Sequence, residues 1–292
     1  MAFFDLFKER ITQPVVHEAE ENLVLSSGAH ILIDCHNVKI EGKAIILEAT
    51  NSHIASISGN AKLQILNSGV VDEISGNARI GLVKQGNIGV VKGKAKITTI
   101  NSCFIEYLKN KVRIGTFNGG EIKFVDDKTV IETVNDGRFL FVRGKARIGT
   151  MINGDITGII ENAYLTTMMN GNIKYVLNKC SIGTINNGNV GEICDNGEIE
   201  TFNNGHVDFM RGTAVVCQQI AGEIGQKSKN ALVVYSQEET RLANLLKEKE
   251  EQEEKTEEVI VETEVKTEEP TQTEVEQPKQ AETEQTKKSK RK

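Results

Sequence analysis

The sequence predicts an all-β fold, a parallel β-solenoid with coils of 17 residues. Apolar residues recur every 17 positions in two columns, turn-forming residues recur in two further columns, and a small residue precedes one apolar column by two positions. So short a fixed period is typical of a stack in which each coil contacts only its neighbours. The first apolar column contains Leu63, Ile80, Ile97, Ile114, Ile131, Ile148, Leu165, Ile182 and Ile199.

Two columns of residues that tolerate positive φ predict two sharp turns in each coil. One column is glycine from Gly69 to Gly205 except at Cys103, and the other is mostly glycine, asparagine or aspartate from Gly42 to Gly212. Helical repeats are longer, at about 33 to 47 residues, which favours β coils. Backbone pairing between coils leaves an open sheet edge at each end of the stack, so we expect caps or self-association.

The solenoid is predicted to occupy residues 29–235, after an amphipathic segment. Residues 1–28 begin MAFFDLFKER, in which Phe3, Phe4 and Phe7 lie beside charged residues. Two roles remain open for this segment: a cap on the first coil, or an anchor that lies on a membrane surface. We expect neither a signal peptide nor a transmembrane segment, because the apolar runs are too short for either.

The C-terminal part of the chain differs from the solenoid in composition and charge. Residues 236–255 are predicted to form a charged helix, and residues 256–292 a disordered acidic tail with a basic end. Residues 236–292 carry 17 acidic and 11 basic side chains, a net charge of −6. The whole chain has 41 acidic and 35 basic residues, so residues 1–235 carry 24 of each and are neutral.

The cysteine content predicts reduced thiols. The five cysteines include no CxxC pair, and their number is odd. Without a secretion signal, this pattern favours a cytoplasmic localisation over a disulfide framework.

Basic residues concentrate on one side of the predicted solenoid. Positions that flank the inward-facing small column point outward, because side chains alternate along a strand. Segments VKGKAKI (91–97), LKNKVRI (108–114) and VRGKARI (142–148) therefore each place three cations on one face. The predicted anion-binding residues are Lys92, Lys94, Lys96, Lys109, Lys111, Arg113, Lys128, Arg143, Lys145 and Arg147.

Two interpretations of this basic face remain open. The cations keep a long sheet soluble, or they dock a polyanion and thereby relieve the repulsion between like charges stacked at about 4.8 Å. An anionic membrane surface or an acidic protein segment, such as the chain's own tail, ranks above nucleic acid as the partner.

A threonine column and an aromatic column are predicted to face each other across the core. Simple alternation along each strand turns both columns inward, and small threonines opposite large rings would fill a thin core. If the aromatic side chains are exposed instead, they form a stripe suited to sugar stacking or protein contact. The columns contain Thr99, Thr116, Thr133, Thr150, Thr167, Thr184 and Thr201, and Tyr107, Phe124, Phe141, Tyr175 and Phe209.

The sequence predicts no catalytic, metal or cofactor site. The column Glu121, Arg138 and Asp155 alternates in sign, which is typical of a stabilising charge ladder. The five histidines make no metal-ligand spacing, and no long insertion interrupts residues 54–216 to build a pocket.

The regular coils between an amphipathic start and a polar tail resemble the bactofilins, bacterial polymer-forming cytoskeletal proteins. Segments NGDITGII (153–160) and NGNVGEIC (187–194) are similar in style to that family. The resemblance implies a non-catalytic scaffold whose rods assemble end to end. The longer N-terminal region and the predicted C-terminal helix depart from the family, and either would cap an end. A viral fibre or spike shaft that binds glycan or a host surface is the alternative function.

Overall fold

The computed structural model describes residues 13–235 as a parallel β-solenoid of about 13 turns with coils of about 17 residues, which confirms the predicted fold class. Those residues contain 23 strands and no helix. The predicted helix at 236–255, the tail at 256–292 and the phenylalanines of the N-terminal decapeptide lie outside the described residues.

The strands are all paired in parallel within one sheet that winds through every coil. In chain order they are β1 Val15–Glu18, β2 Val24–Leu25, β3 Ala29–Ile33, β4 Val38–Ile40, β5 Ile45–Ile57, β6 Lys62–Ile74, β7 Arg79–Val91, β8 Lys96–Leu108, β9 Arg113–Phe117, β10 Gly120–Val125, β11 Val130–Val134, β12 Arg138–Val142, β13 Arg147–Met151, β14 Asp155–Ile159, β15 Tyr164–Met168, β16 Asn172–Val176, β17 Ser181–Ile185, β18 Asn189–Ile193, β19 Glu198–Phe202, β20 His206–Met210, β21 Val215–Gln219, β22 Glu223–Lys227 and β23 Leu232–Tyr235.

Each coil contributes to two stacks of strands. One stack runs from β1 and β3 through the first halves of β5 to β8 and the odd-numbered strands β9 to β23. The other runs from β2 and β4 through the second halves of β5 to β8 and the even-numbered strands β10 to β22. We call them the first and second stacks.

Residues 17 positions apart pair directly through the regular part of the stack. Ile97 lies against Ile114, which lies against Ile131 in the next coil. The first coils are shorter, since Val15 pairs with His30, only 15 residues later. Among the described residues, strand pairing is present from Val15 onward, and Val24 and Leu25 also pair with the next coil.

In the five-residue strands from β9 to β21, the second and fifth residues are buried and form the core. In β9 these are Ile114 and Phe117, and Val112, two positions before Ile114 in the preceding turn, is also fully buried. Burying a side chain of this size contributes about 1.5–3 kcal/mol, so each coil adds several such contributions. The predicted inward positions of the apolar and small columns are confirmed.

The threonine and aromatic columns do not face each other across the core, and that prediction is wrong. Buried residues three positions apart require the strand to bend between them, so both intervening residues stay partly exposed. Thr116 is half-buried for this reason, and so are Tyr107 and the phenylalanines that follow it in register. The ring of Phe124 stacks on those of Tyr107 and Phe141 at centroid distances of 4.7 Å and 6.2 Å. The ring faces cover one another, which leaves mainly ring edges for a partner.

Amide side chains form ladders along the turn that joins the first stack to the second. The Asn118 amide donates to the Asn101 side-chain oxygen at 2.8 Å, and the Asn135 amide donates to that of Asn118 at 2.6 Å. A second ladder joins Asn203 to Asn186 at 2.6 Å. Because each bond crosses one coil boundary, these ladders reinforce the stacking that the backbone begins.

Candidate anion-binding face

The other turn of each coil, from the second stack to the first, positions the predicted cations at three places. The first place is just before the turn, the second is directly after the turn residue of positive φ, and the third is the first residue of the next strand. In the second of these turns, they are Lys109, Lys111 and Arg113, around Asn110 with a φ of 72°. Buried Val112 fixes the outward direction of its two neighbours. We call the ten predicted residues, from Lys92 to Arg147, the cationic band.

Backbone pairing brings the cations of successive coils together. Lys96 pairs with Arg113 across the β8–β9 boundary, and Arg147 begins β13 two coils further along. Between them the column holds Val130. The band therefore extends over four consecutive turns, with one interruption in its strand column.

Seven cations of the band are exposed and have no carboxylate within 4.0 Å in the part of the chain that the structure describes. Like charges one coil apart repel by about 0.9 kcal/mol in bulk water at about 4.8 Å, and by less in salt. An anion placed across several coils would remove this repulsion. The seven are Lys94, Lys96, Lys111, Arg113, Lys128, Lys145 and Arg147.

The cations just before the turn differ, because two of them are paired across coils. Lys92 Nζ donates to Glu73 Oε2 at 2.6 Å, and this hydrogen bond is the main reason that the pKa of Glu73 is lowered. Arg143 binds both carboxylate oxygens of Asp126, at 2.5 Å and 2.9 Å, which raises the pKa of its guanidinium. These two cations stabilise the stack and are less available to a partner.

Aromatic rings support the edges of the band. The Arg143 guanidinium lies 4.8 Å from the centroid of Phe124. The Arg147 guanidinium lies 5.2 Å from that of Tyr164 and donates to Thr166 Oγ1 at 3.1 Å and 3.2 Å. These contacts orient the Arg147 guanidinium and leave its remaining N–H groups free for an anion, whereas the Arg143 guanidinium already binds Asp126. Arg147 itself is exposed.

A shallow groove of about 350 Å³ continues the band toward the N-terminal coils. It is lined by Lys43, Asn60, Lys62, Asn77 and Arg79, which occupy the same two columns as the band. Two of the five lining residues are asparagines, so the groove carries fewer charges than the cationic band. The 17-residue period of the sequence predicts these two columns, but the groove is defined only by the positions of the side chains in the structure.

A larger groove of about 840 Å³ follows the glycine column of the opposite turn. Its walls include Glu121, Asp136 and Arg138, and Cys103 contributes to its lining. Burial raises the pKa of the Cys103 thiol to about 12, so this thiol stays protonated and is a poor nucleophile at neutral pH. The exposed Cys217 is similar, because partial burial and a hydrogen bond to Glu198 raise its pKa to about 11.

None of the protein-family models, curated proteins or solved structures compared with this chain matches it. Within residues 13–235, no helix is long and apolar enough to cross a membrane. The same residues contain no group of three or more histidine, cysteine, aspartate or glutamate side chains arranged to hold a metal ion.

Proposed function

We propose that this protein is a non-catalytic β-solenoid scaffold that docks on an anionic surface through the cationic band. The observation that supports the proposal is the set of seven exposed cations without carboxylate partners on four successive turns. Cytoplasmic localisation, at an anionic membrane or on an acidic protein, belongs to the same proposal. Nucleic acid fits less well, because its phosphates repeat at about 3.4 Å per strand whereas the coils repeat at about 4.8 Å.

We expect the full chain to bind vesicles that contain anionic phospholipid and to leave neutral phosphatidylcholine vesicles in solution. Each lysine or arginine near an anionic surface contributes about 1 kcal/mol, and salt screens that attraction. Co-sedimentation should therefore be strong at 50 mM salt and lost at 500 mM. Truncation after Tyr235 removes a net charge of −6 and should increase binding. Equal binding to both kinds of vesicle, or none at low salt, would leave the cations as a solubility device.

We also propose that the scaffold associates with further copies through the ends of its coil stack. Exposed apolar side chains are concentrated in the first and last described coils: Val15, Val16 and Val24 are 53–60% exposed, and Leu232 and Tyr235 are 54% exposed. Parallel strands at these ends carry backbone groups that a further strand would pair. The bactofilin resemblance implies the same behaviour.

Light scattering of the full chain should show a mass that rises with concentration. We expect the double substitution Val24→Lys and Leu232→Lys to lower that mass, because charge on an edge strand opposes pairing. The matched control, Val70→Lys, changes a 40% exposed apolar residue in the middle of the stack and should leave association unchanged. A parent that stays monomeric throughout contradicts the proposal. Trimeric shafts in electron micrographs would instead favour the viral-fibre alternative.

A further inference from the structure

Two histidines on neighbouring coils meet at the N-terminal end of the stack. His17 Nε2 lies 3.1 Å from His30 Nδ1, and the ring centroids are 5.2 Å apart. The outer nitrogen of each ring has its own partner: His17 Nδ1 lies 3.0 Å from Glu20 Oε1, and His30 Nε2 lies 2.7 Å from the Ser27 carbonyl oxygen. The His17 side chain is only 12% exposed.

If both imidazoles are neutral, these three contacts cannot all be hydrogen bonds. A carboxylate and a carbonyl oxygen only accept hydrogen bonds, so both outer nitrogens carry the hydrogen. A neutral imidazole has one N–H, and therefore both inner nitrogens present lone pairs to each other. Two acceptors that meet at 3.1 Å in a half-buried position need a shared proton or a metal ion between them.

We propose that His17 Nε2 and His30 Nδ1 bind a divalent transition-metal ion, for which Zn²⁺ is the probe. Metal-binding histidines almost always donate their other N–H to a carboxylate or a carbonyl oxygen, and both rings do so here. Two nitrogens at zinc bonding distance and a tetrahedral angle lie roughly 3.3 Å apart, so the rings need to separate by only a few tenths of an ångström. Water would complete the coordination.

The charge of the surroundings favours a cation at this position. Glu18 and Glu21 lie in the same short segment as Glu20, and no lysine or arginine occurs between residues 13 and 38. His17 belongs to β1 and His30 to β3, so an ion held by both crosslinks the first coil to the second. The bound ion would stabilise the first coil in proportion to the logarithm of its concentration over its dissociation constant.

Calorimetric titration of the full-length, reduced chain with ZnCl₂ tests the proposal. We expect one equivalent to bind in the parent and this binding to be lost in His17→Gln and in His30→Gln. Glu20→Gln should weaken it by about 10–100-fold, as is usual for loss of an outer-shell partner. His53→Gln is the matched control, because His53 pairs with Asp72 at 2.9 Å on other coils and should not affect the site.

Hydrogen exchange gives a second readout, which zinc bound by the exposed thiol of Cys217 does not affect. Zn²⁺ should slow exchange of the β1 amides in the parent and leave it unchanged in His17→Gln. The proposal is overturned if both histidine variants bind zinc as the parent does, or if the parent binds none. It is equally overturned if nitrogen-15 spectra show a shared proton between the rings that Zn²⁺ does not displace.

Discussion

Replacing Ile114 with aspartate is expected to lower the free energy of unfolding by about 4 kcal/mol or more. Ile114 is fully buried and lies in register between Ile97 and Ile131 in the adjacent coils. A carboxylate there has no partner and cannot reach water without opening the coil. Chemical denaturation followed by circular dichroism measures the loss.

The matched control is Arg113→Asp, which introduces the same side chain one position earlier. Arg113 is exposed, so we expect its substitution to change stability by less than about 1 kcal/mol. Because each coil contacts only its neighbours, hydrogen exchange should locate the damage of Ile114→Asp in β8, β9 and β11 first. Equal unfolding midpoints for the two variants would show that the inward assignment of Ile114 is wrong.

Replacing Gly120 with alanine is expected to lower the free energy of unfolding by about 3 kcal/mol, because the added Cβ would strain the backbone. Gly120 has a φ of 111°, in the region that favours glycine. A Cβ on this residue would lie 2.1 Å from the Cys103 carbonyl oxygen and 2.7 Å from the Cys103 nitrogen. Backbone atoms of the adjacent coil cannot move aside without breaking the β8–β10 pairing.

Gly119→Ala is the control for this substitution, since it adds the same methyl group to the preceding residue. Gly119 has no positive φ, and its Cβ would meet only the Asn101 carbonyl oxygen, at 3.2 Å. We expect a change below about 1 kcal/mol. Thermal unfolding of both variants distinguishes them, and a Gly120→Ala protein as stable as Gly119→Ala would contradict the close approach of the coils.

The regular coils could be predicted from the sequence because one period determines both strand register and turn position. Ile114 and its equivalents recur with no insertion, so direct stacking of residues 17 apart follows from the spacing alone. The outward direction of Lys111 and Arg113 follows in the same way from the buried residue between them.

Other features depend on geometry that the period does not contain. Alternation assumes straight strands, whereas these strands bend between two buried residues, which leaves Thr116 and Phe124 partly exposed. The pairing of Lys92 with Glu73 depends on side-chain reach between positions 19 residues apart. The first coils have shorter repeats, so neither the pairing of Val15 with His30 nor the contact of His17 with His30 was visible in the 17-residue columns.

Charge reversal within the cationic band tests the proposed docking most directly. The triple variant Lys96→Glu, Arg113→Glu and Arg147→Glu reverses the strand column of the band, all three residues being exposed. The matched control reverses three exposed lysines outside the band, Lys84, Lys174 and Lys227, with the same change in net charge. Both variants should keep the circular dichroism spectrum of the parent, which shows that the coils are intact.

The decisive measurement is co-sedimentation of these two variants and the parent with anionic vesicles at 50 mM salt. Docking through the cationic band predicts that the affinity of the band variant falls by at least about 100-fold, because three attractions of about 1 kcal/mol each become repulsions. The control should bind within a few-fold of the parent. Equal loss in both variants would mean that only net charge matters, and undiminished binding of the band variant would contradict docking through this face.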